Sequence, residues 1–116
     1  MKVKRIVPNF AAADVAKAKQ FYAEVLGLEV VMDQGWIVTL AASTKMAPQI
    51  TIASEGGSGT AVPDVSVEVD DLDEALRRVR AFGLVVKYGP TSEPWQVRRF
   101  YVRDPLGRLI NILVHE

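Results

Sequence analysis

The sequence predicts an α+β fold in which two modules of the form βαβββ build curved mixed sheets around a groove. The first observation is a repeated helix signal: an aspartate, then apolar residues at helical spacing, then a glycine. The signal runs from Asp14 to Gly27 and again from Asp71 to Gly83, about 57 residues later. The second observation is that short apolar strands flank both helices. A repeat of one unit explains both observations better than a single long meander.

The first half of the chain supplies one helix and four short strands. The helix is expected to begin after Asp14, whose side chain can accept a backbone hydrogen bond, and to end at Gly27, which tolerates a positive φ angle. Its apolar side is formed by Val15, Ala18, Phe21, Tyr22, Val25 and Leu26. Strands are expected at residues 4–10, 28–32, 36–41 and 49–53.

The second half repeats this order of elements. Residues 65–69 alternate strictly between valine and polar residues, as is typical of a strand with one buried face. Asp70 or Asp71 can cap the following helix, which ends at Gly83. Further strands are expected at residues 84–88, 98–102 and 109–114. We therefore expect a single domain, residues 1–116, with modules at about 1–54 and 62–116 and a flexible, glycine-rich linker at 55–61.

The composition favours a globular protein and disfavours several other classes. No run among the 116 residues approaches the roughly 18 apolar residues that a membrane span needs. The basic start at residues 1–5 is not followed by an apolar segment, so no signal peptide is expected. Fourteen basic and fourteen acidic side chains balance, so no positive field is available to hold nucleic acid. The absence of cysteine excludes disulfides and thiolate chemistry and favours the cytoplasm.

The carboxy-terminal part contains the most informative local motif. Two apolar strands flank the turn Asp104-Pro105-Leu106-Gly107, and Asn111 lies in the second strand. The aspartate can accept backbone hydrogen bonds, the proline presets one φ angle and the glycine supplies a positive φ. Any β-hairpin can use this chemistry, so the motif becomes informative only together with the two helix signals.

The order and spacing of these motifs resemble the vicinal oxygen chelate superfamily, which includes glyoxalase I, extradiol dioxygenases, fosfomycin resistance enzymes and bleomycin-binding resistance proteins. The matching residues are Asp14…Phe21-Tyr22…Leu26-Gly27, Val69-Asp70-Asp71-Leu72…Ala75…Gly83 and Phe100-Tyr101-Val102-Arg103-Asp104-Pro105…Gly107…Leu109-Ile110. They cover nearly the whole chain. The opening at residues 7–10 is similar to the metal-free bleomycin-resistance-type binding proteins in particular. The resemblance implies the glyoxalase/bleomycin-resistance fold.

The resemblance also implies where metal ligands would lie. In the metal-dependent members, four strand positions supply histidine or glutamate, and these positions correspond here to Val7, Thr51, Asp64 and Asn111. A divalent ion needs several carboxylate or imidazole ligands that converge on one point. Valine has no donor atom, and only Asp64 carries a charge. We therefore expect no metal and no other cofactor, which disfavours glyoxalase and dioxygenase activity.

Strand alternation and the resemblance together predict the side chains that line the groove. The expected ligand-binding residues are Trp36, Thr51, Asp64, Glu68, Trp95, Arg99, Tyr101 and Asn111. Trp95 is preferred over Trp36 for stacking on a ligand, because it follows Pro94 in a loop before a groove strand. No catalytic residue is assigned, since the sequence has no Ser-His-Asp triad and no paired carboxylates at useful spacing.

Simpler interpretations of several of these residues stay open. Glu68 and Arg99 could form a cross-strand ion pair, and Asp64 could cap the start of its strand. Either tryptophan could serve packing instead of recognition. The sole histidine, His115, is expected to lie in a frayed end.

The resemblance implies a non-enzymatic protein that binds and sequesters an aromatic, antibiotic-like small molecule, with Asp64 or Glu68 meeting a cationic group. A homodimer is expected, and Pro8 could let the amino-terminal arm cross to the partner because it interrupts the first strand. Two alternatives stay open. One is a lyase, isomerase or hydrolase in which Glu68 or Asp64 acts as a general base. The other is a small accessory domain without chemistry of its own.

Overall fold

The computed structural model describes residues 8, 10–44, 51 and 53–116, which form an α+β arrangement, as predicted. The elements, in chain order, are α1 (Val15–Glu24), β1 (Glu29–Asp33), β2 (Val38–Ala41), β3 (Val65–Glu68), α2 (Leu72–Ala81), β4 (Val86–Glu93), β5 (Val97–Arg103) and β6 (Leu109–His115). In the described part of the chain both helices have ten residues, far short of the roughly 20 that a membrane-spanning helix requires.

The second half of the chain forms the βαβββ order that the sequence predicts. Its four-stranded sheet has the order β3-β6-β5-β4, in which β3 and β6 run parallel and the other pairs are antiparallel. Helix α2 follows β3 directly and packs on one face of this sheet. The sheet is therefore mixed, and it is not closed into a barrel.

Strand β4 differs most from its prediction, which ended at Tyr88. It continues to Glu93, although residues 88–93 have no apolar alternation. Pairing with β5 maintains the strand, and the register shifts between Val86 and Tyr88 and again between Tyr88 and Thr91. Such irregularities turn side chains away from the faces that simple alternation assigns to them.

Local capping explains where the helices begin and end. Asp14 Oδ1 accepts a 3.0 Å hydrogen bond from the backbone nitrogen of Lys17, and Asp71 Oδ1 accepts one of 3.0 Å from Glu74. Asp71, and not Asp70, is thus the cap of α2. The glycine that follows α2, Gly83, has a φ of +92°, which a side chain with a Cβ rarely adopts.

The hydrophobic core lies between the two helices and one face of the four-stranded sheet. Helix α1 contributes Phe21 together with Val25, the residue that caps its end, and α2 contributes Val79, among others. Strand β5 contributes Phe100 and Val102, and strand β6 contributes Ile110 and Ile112. Because strand residues alternate between faces, Arg99, Tyr101 and Asn111 lie on the side of the sheet opposite to the helices.

The described part of the first half consists of α1 and an antiparallel hairpin of β1 and β2. These strands lie at about the predicted positions, 28–32 and 36–41. The strands expected at residues 4–10 and 49–53 fall largely outside the described residues, as does Val7.

Residues 55–61 form a compact turn, which we call the glycine turn, where the composition predicts a flexible linker. The backbone nitrogen of Gly56 donates to the carbonyl of Thr60 across 2.9 Å, and that of Thr60 donates to the carbonyl of Gly57 across 3.0 Å. The side chains of β4 and β5 provide further contacts to it. Tertiary contacts thus hold a segment whose sequence is intrinsically adaptable.

Candidate functional site

A cavity of about 470 Å³ lies between α1, the β1–β2 hairpin and the helix-facing side of β3. We call it the apolar pocket, because most of its lining is hydrocarbon. Its apolar and aromatic lining residues include Phe10, Val15, Tyr22, Leu26, Leu28, Trp36, Ile37, Val38, Leu40, Val65, Val67 and Leu106. Among the described residues, Lys19 is the only charged one in the lining, and no carboxylate lines the pocket. The volume lies within the range of about 300–1,000 Å³ that is usual for small-molecule sites.

Trp36 stands at the edge of this pocket with 77% of its surface exposed. It lies within the turn between β1 and β2, in which the backbone nitrogen of Gly35 donates to Asp33 Oδ1 and that of Gln34 donates to the carbonyl of Ile37, each across 2.9 Å. These two hydrogen bonds fix the backbone on both sides of Trp36. An exposed indole beside an apolar pocket is suited to stacking against a planar ligand.

A second candidate region lies on the opposite, polar side of the four-stranded sheet and is centred on Arg99. We call it the Arg99 cluster and define it as Tyr88, Glu93, Trp95, Arg99 and Tyr101. Arg99 is only 4% exposed, and its Nε lies 3.2 Å from Glu93 Oε1. Its Nη1 donates to the hydroxyl of Tyr101 across 3.0 Å.

Three aromatic rings surround the guanidinium group of Arg99. Its Cζ lies 5.0 Å from the ring centroid of Tyr101, 5.2 Å from that of Trp95 and 5.4 Å from that of Tyr88. These distances are within the range in which a cation is attracted to a π face. The cluster therefore compensates a buried charge both with a carboxylate and with aromatic rings.

The glycine turn covers the Arg99 cluster. Arg99 Nη2 donates to the carbonyl of Gly57 across 3.3 Å and to Thr60 Oγ1 across 3.5 Å, and the hydroxyl of Ser58 donates to Glu93 Oε2. A Cβ atom placed on Gly57 would come within 2.6 Å of the Trp95 ring. The turn thus fills the space in front of Trp95, and only a glycine fits there.

The hydrogen bonds that Glu93 accepts alter its acidity. The hydroxyl of Ser58, the hydroxyl of Tyr88 and the guanidinium of Arg99 together hold the pKa of Glu93 below its ordinary value, although burial acts in the opposite direction. The carboxylate form is therefore the one that the cluster stabilises.

The structure separates the eight expected ligand-binding residues into groups. Trp36 lines the apolar pocket, whereas Trp95, Arg99 and Tyr101 meet in the Arg99 cluster. Thr51 is exposed and takes part in neither region. The remaining three, Asp64, Glu68 and Asn111, lie along β3 and β6.

The polar side chains along β3 and β6 bond mainly from one of these strands to the other. Asp64 Oδ2 accepts a 2.7 Å hydrogen bond from the backbone nitrogen of Leu109, the first residue of β6, so Asp64 caps the start of β6 and not that of its own strand, β3. Asn111 Nδ2 donates to Ser66 Oγ across 3.0 Å, and Asn111 Oδ1 has no partner in the described part of the chain.

The ion pair considered between Glu68 and Arg99 does not form. Glu68 instead contacts the ring of His115, which is the last residue of β6 and not part of a frayed end. Leu113 pairs with both Glu68 and Arg99 and so lies between them in the sheet. Arg99 bonds to Glu93, which the bulged end of β4 brings within reach.

The residues at the four positions of the superfamily's metal ligands do not fit a divalent ion. Asp64 already accepts a hydrogen bond from Leu109, Asn111 offers only a neutral amide oxygen, and Thr51 is an exposed neutral residue. Val7 lies outside the described residues, but its side chain has no donor atom. Within the described ranges, no three His, Cys, Asp or Glu side chains converge.

Sequence reasoning missed several contributors to both regions. Glu93 and Tyr88 were not assigned to the site, because the bulges of β4 that direct them toward Arg99 leave no local signal. The apolar pocket was missed because it lies on the helix side of β3, where valines alternate as core residues do. The sequence feature that points to this pocket is an aromatic residue, Trp36, directly after the turn glycine, Gly35.

Solved structures share this fold at low sequence identity. TioX from Micromonospora sp. ML1 has a TM-score of 0.65 at 21% identity and is aligned over 97% of each chain. TnmS3, an antibiotic binding protein from Streptomyces sp. CB03234, has a TM-score of 0.65 at 23% identity over 90% of this chain and 88% of its own. A lactoylglutathione lyase from Agrobacterium tumefaciens has a TM-score of 0.64 at 21% identity over 89% of this chain and 87% of its own. A sequence identity of 21–23% to these solved structures establishes a shared fold and leaves the activity of this chain open.

No curated protein matches the sequence of this chain. The family model of the Glyoxalase/Bleomycin resistance protein/Dioxygenase superfamily matches residues 3–112, nearly the whole chain. The βαβββ order of the second half and the shared fold agree with that match. The chain therefore belongs to the Glyoxalase/Bleomycin resistance protein/Dioxygenase superfamily, also called the vicinal oxygen chelate superfamily.

Proposed function

We propose that this protein binds a small, aromatic, antibiotic-like molecule and sequesters it without converting it and without a metal. The observation that supports this most is the apolar pocket, which has a volume of about 470 Å³ and an exposed tryptophan, Trp36, at its edge. TnmS3, which shares the fold, is described as an antibiotic binding protein.

The pocket offers two sources of affinity for such a ligand. Removal of apolar surface from water contributes roughly 25 cal/mol for each Å² buried. Stacking on an aromatic ring adds about 0.5–1.5 kcal/mol beyond that burial. Trp36 supplies the exposed ring, and Val38 and Leu40 of β2 supply apolar surface.

A cationic group on the ligand is not part of the proposal. It was expected to meet Asp64 or Glu68, but neither lines the apolar pocket. Both alternate along β3 with Val65 and Val67, which do line it, so the carboxylates lie on the other face of the strand.

An enzyme of the same superfamily is the alternative class, and the lactoylglutathione lyase shows that the fold can carry one. General acid–base catalysis needs a titratable group within hydrogen-bond reach of the substrate. The described lining of the apolar pocket contains Lys19 and Tyr22 but no carboxylate or histidine. Lys19 is already paired with Asp33 at 3.0 Å. These features favour binding over conversion.

We further propose that the protein acts as a homodimer in the cytoplasm. The β1–β2 hairpin exposes Val30, Val31 and Met32, at 41, 59 and 38% of their surface. A two-stranded sheet is marginally stable unless another surface covers it. A second copy of the chain would supply that surface, and the lack of cysteine is consistent with a reducing compartment.

The binding proposal can be tested with a protein in which Trp36 is the only tryptophan. The chain has two tryptophans, so Trp95→Phe leaves Trp36 as the sole indole reporter. Its fluorescence would be titrated with bleomycin-like, mitomycin-like and quinoxaline-like compounds. We expect saturable quenching by at least one of them. After incubation, mass spectrometry should recover that compound unchanged.

Trp36→Ala in the otherwise native chain is the matching affinity variant. It should weaken binding about tenfold, as expected for loss of a stacking anchor, when binding is measured by calorimetry. Val85→Ala is the control, because Val85 is exposed, lies outside the β1–β2 hairpin and does not line the pocket. Equal affinities in the two variants would contradict the proposed site, and recovery of a chemically altered compound would favour the enzyme.

A further inference from the structure

We propose that the ligand of the apolar pocket is an aromatic acid, in which a planar apolar body carries one anionic group, and that Lys19 selects this ligand by binding the anionic group. This assignment rests on the binding function proposed above and adds the chemical class of the ligand and a residue that determines specificity.

Lys19 is the one charged residue that the described part of the chain contributes to the lining of the apolar pocket. It belongs to α1, and its side chain is 41% exposed. A lysine in such a place lays its aliphatic stem along apolar surface and keeps its ammonium group near water. A ligand in the pocket therefore meets a positive charge at the edge of an apolar wall.

Asp33 holds Lys19 beside the turn that carries Trp36. Asp33 Oδ2 accepts a 3.0 Å hydrogen bond from Lys19 Nζ, and Asp33 Oδ1 accepts one of 2.9 Å from the backbone nitrogen of Gly35, the residue before Trp36. A planar ring stacked on Trp36 would therefore have one edge near the ammonium group of Lys19. An anionic substituent on that edge would bind Lys19 while the ring is buried in the pocket.

The pair with Asp33 leaves Lys19 able to bind a second acceptor. An ammonium group has three N–H donors, and among the described residues Asp33 alone accepts from Lys19. A ligand that covers this edge of the pocket would remove water from the ammonium group, which costs free energy unless the ligand compensates the charge. An aromatic acid provides that compensation, whereas a ring without a polar group does not.

Asp33 would oppose the same ligand. An anion bound to Lys19 would also lie close to the carboxylate of Asp33 and be repelled by it. The two members of one ion pair should therefore affect the binding of an acid in opposite directions. If the pair served only to hold the β1–β2 hairpin against α1, loss of either partner would weaken every ligand alike.

The test uses the Trp95→Phe protein, in which Trp36 reports binding. The probes are 2-naphthoate, an anion at neutral pH, and 2-naphthamide, its neutral counterpart with the same ring. Lys19→Met removes the ammonium group and keeps the length of the side chain. Lys17→Met is the matched control, since Lys17 lies on the same helix, is exposed and does not line the apolar pocket.

Asp33→Asn is the second test variant. Its amide oxygen can still accept the hydrogen bond from Gly35, so the turn that carries Trp36 is kept. Glu29→Gln is the matched control, because Glu29 is an exposed acid on the same strand, β1, and does not line the apolar pocket.

We expect the Trp95→Phe protein to bind 2-naphthoate about fivefold more tightly than 2-naphthamide. Added in this background, Lys19→Met should weaken the binding of 2-naphthoate about fivefold, as is usual for a partly exposed pair of charges. Asp33→Asn should tighten it about threefold, because the repulsion is lost. Lys17→Met and Glu29→Gln should leave it nearly unchanged. Added salt should weaken the binding of the acid more than that of the amide.

Three results would overturn the assignment. One is equal affinity of the Trp95→Phe protein for the acid and the amide. Another is weaker binding of 2-naphthoate in Asp33→Asn, which would make the ion pair a structural contact. The third is an equal loss of affinity in Lys19→Met and Lys17→Met. None of these results removes the binding function, because 2-naphthamide would still quench Trp36. If neither probe quenches Trp36, the aromatic acid is also excluded, and the titration with antibiotic-like compounds decides the binding function separately.

Discussion

The hydroxyl of Tyr22 donates a 2.8 Å hydrogen bond to Oδ2 of Asp104, which lies 82 residues later in the chain. Tyr22 belongs to α1, and Asp104 begins the turn between β5 and β6. The other oxygen of Asp104 accepts from the backbone nitrogens of Leu106 and Arg108 at 2.9 and 2.8 Å. Two motifs that define the superfamily resemblance in sequence thus form one contact that joins the first helix to the second module.

Tyr22→Phe should lower the free energy of unfolding by about 1–2 kcal/mol, because Asp104 is 4% exposed and would lose one of its three donors. The substitution keeps the ring that packs edge-on against Phe21 at 4.9 Å. Urea unfolding followed by circular dichroism would measure the change. An unchanged midpoint would show that the bond makes no net contribution.

Stability should also depend on Tyr22 at alkaline pH. Burial, followed by the hydrogen bond to Asp104, raises the pKa of Tyr22 well above its ordinary value of 10.0. The unfolded chain therefore loses this proton at a lower pH than the folded chain. The contribution of protonated Tyr22 to the free energy of unfolding is complete below pH 10.0 and is lost as the pH rises above that value. Tyr22→Phe should flatten this alkaline decline; a decline of equal slope in the variant would assign it to other groups.

Glu93→Gln should destabilise the protein by about 3 kcal/mol, because it leaves Arg99 buried without a carboxylate. Since the pKa of Glu93 is held below its ordinary 4.5, its contribution is present above pH 4.5 and is lost as the pH falls below that value. The variant should therefore show a shallower acid limb in thermal unfolding at a series of pH values. Glu74→Gln is the control, since Glu74 forms only an exposed helix pair with Arg77 and Arg78. If Glu93→Gln and Glu74→Gln lower the free energy of unfolding equally, the buried pair has no special importance for stability.

Purified, tag-free protein should contain no stoichiometric divalent metal. The four positions that hold ligands in metal-dependent members are Val7, Thr51, Asp64 and Asn111, and only one of them is charged. Elemental analysis by mass spectrometry would check this. One zinc, nickel, iron or manganese ion retained for each chain would refute the metal-free proposal.

The protein should form a dimer at micromolar concentration through the β1–β2 hairpin. Val31→Glu should shift the equilibrium toward the 12.8 kDa monomer, because it places a charge on an apolar surface that is 59% exposed in the single chain. Val85→Glu is the control, because Val85 is 69% exposed but lies outside the hairpin. Sedimentation equilibrium would distinguish these cases. A native chain that sediments as the monomer throughout this range would exclude the dimer.

The sequence by itself determined the features that depend on near neighbours in the chain. Asp71 marks the beginning of α2, and Gly83 follows its end. Capping involves backbone groups within one turn of the cap, so a few neighbouring residues are enough to predict it. The alternation of Val65 and Val67 with Ser66 and Glu68 assigned the two faces of β3 correctly, because the strand has a period of two. From these local signals the module order and the superfamily followed.

Only the tertiary structure decided which side chains meet in the candidate sites. The register shifts in β4 bring Glu93, and not Glu68, to Arg99, and no local pattern encodes them. Close packing of Gly57 on Trp95 joins the glycine turn to the segment between β4 and β5, so it depends on how two segments that are remote in sequence approach each other. The apolar pocket likewise exists because α1, β2 and β3 enclose it without filling it. Periodicity records which face a residue occupies, whereas partners and cavities depend on the distances between elements that are remote in sequence.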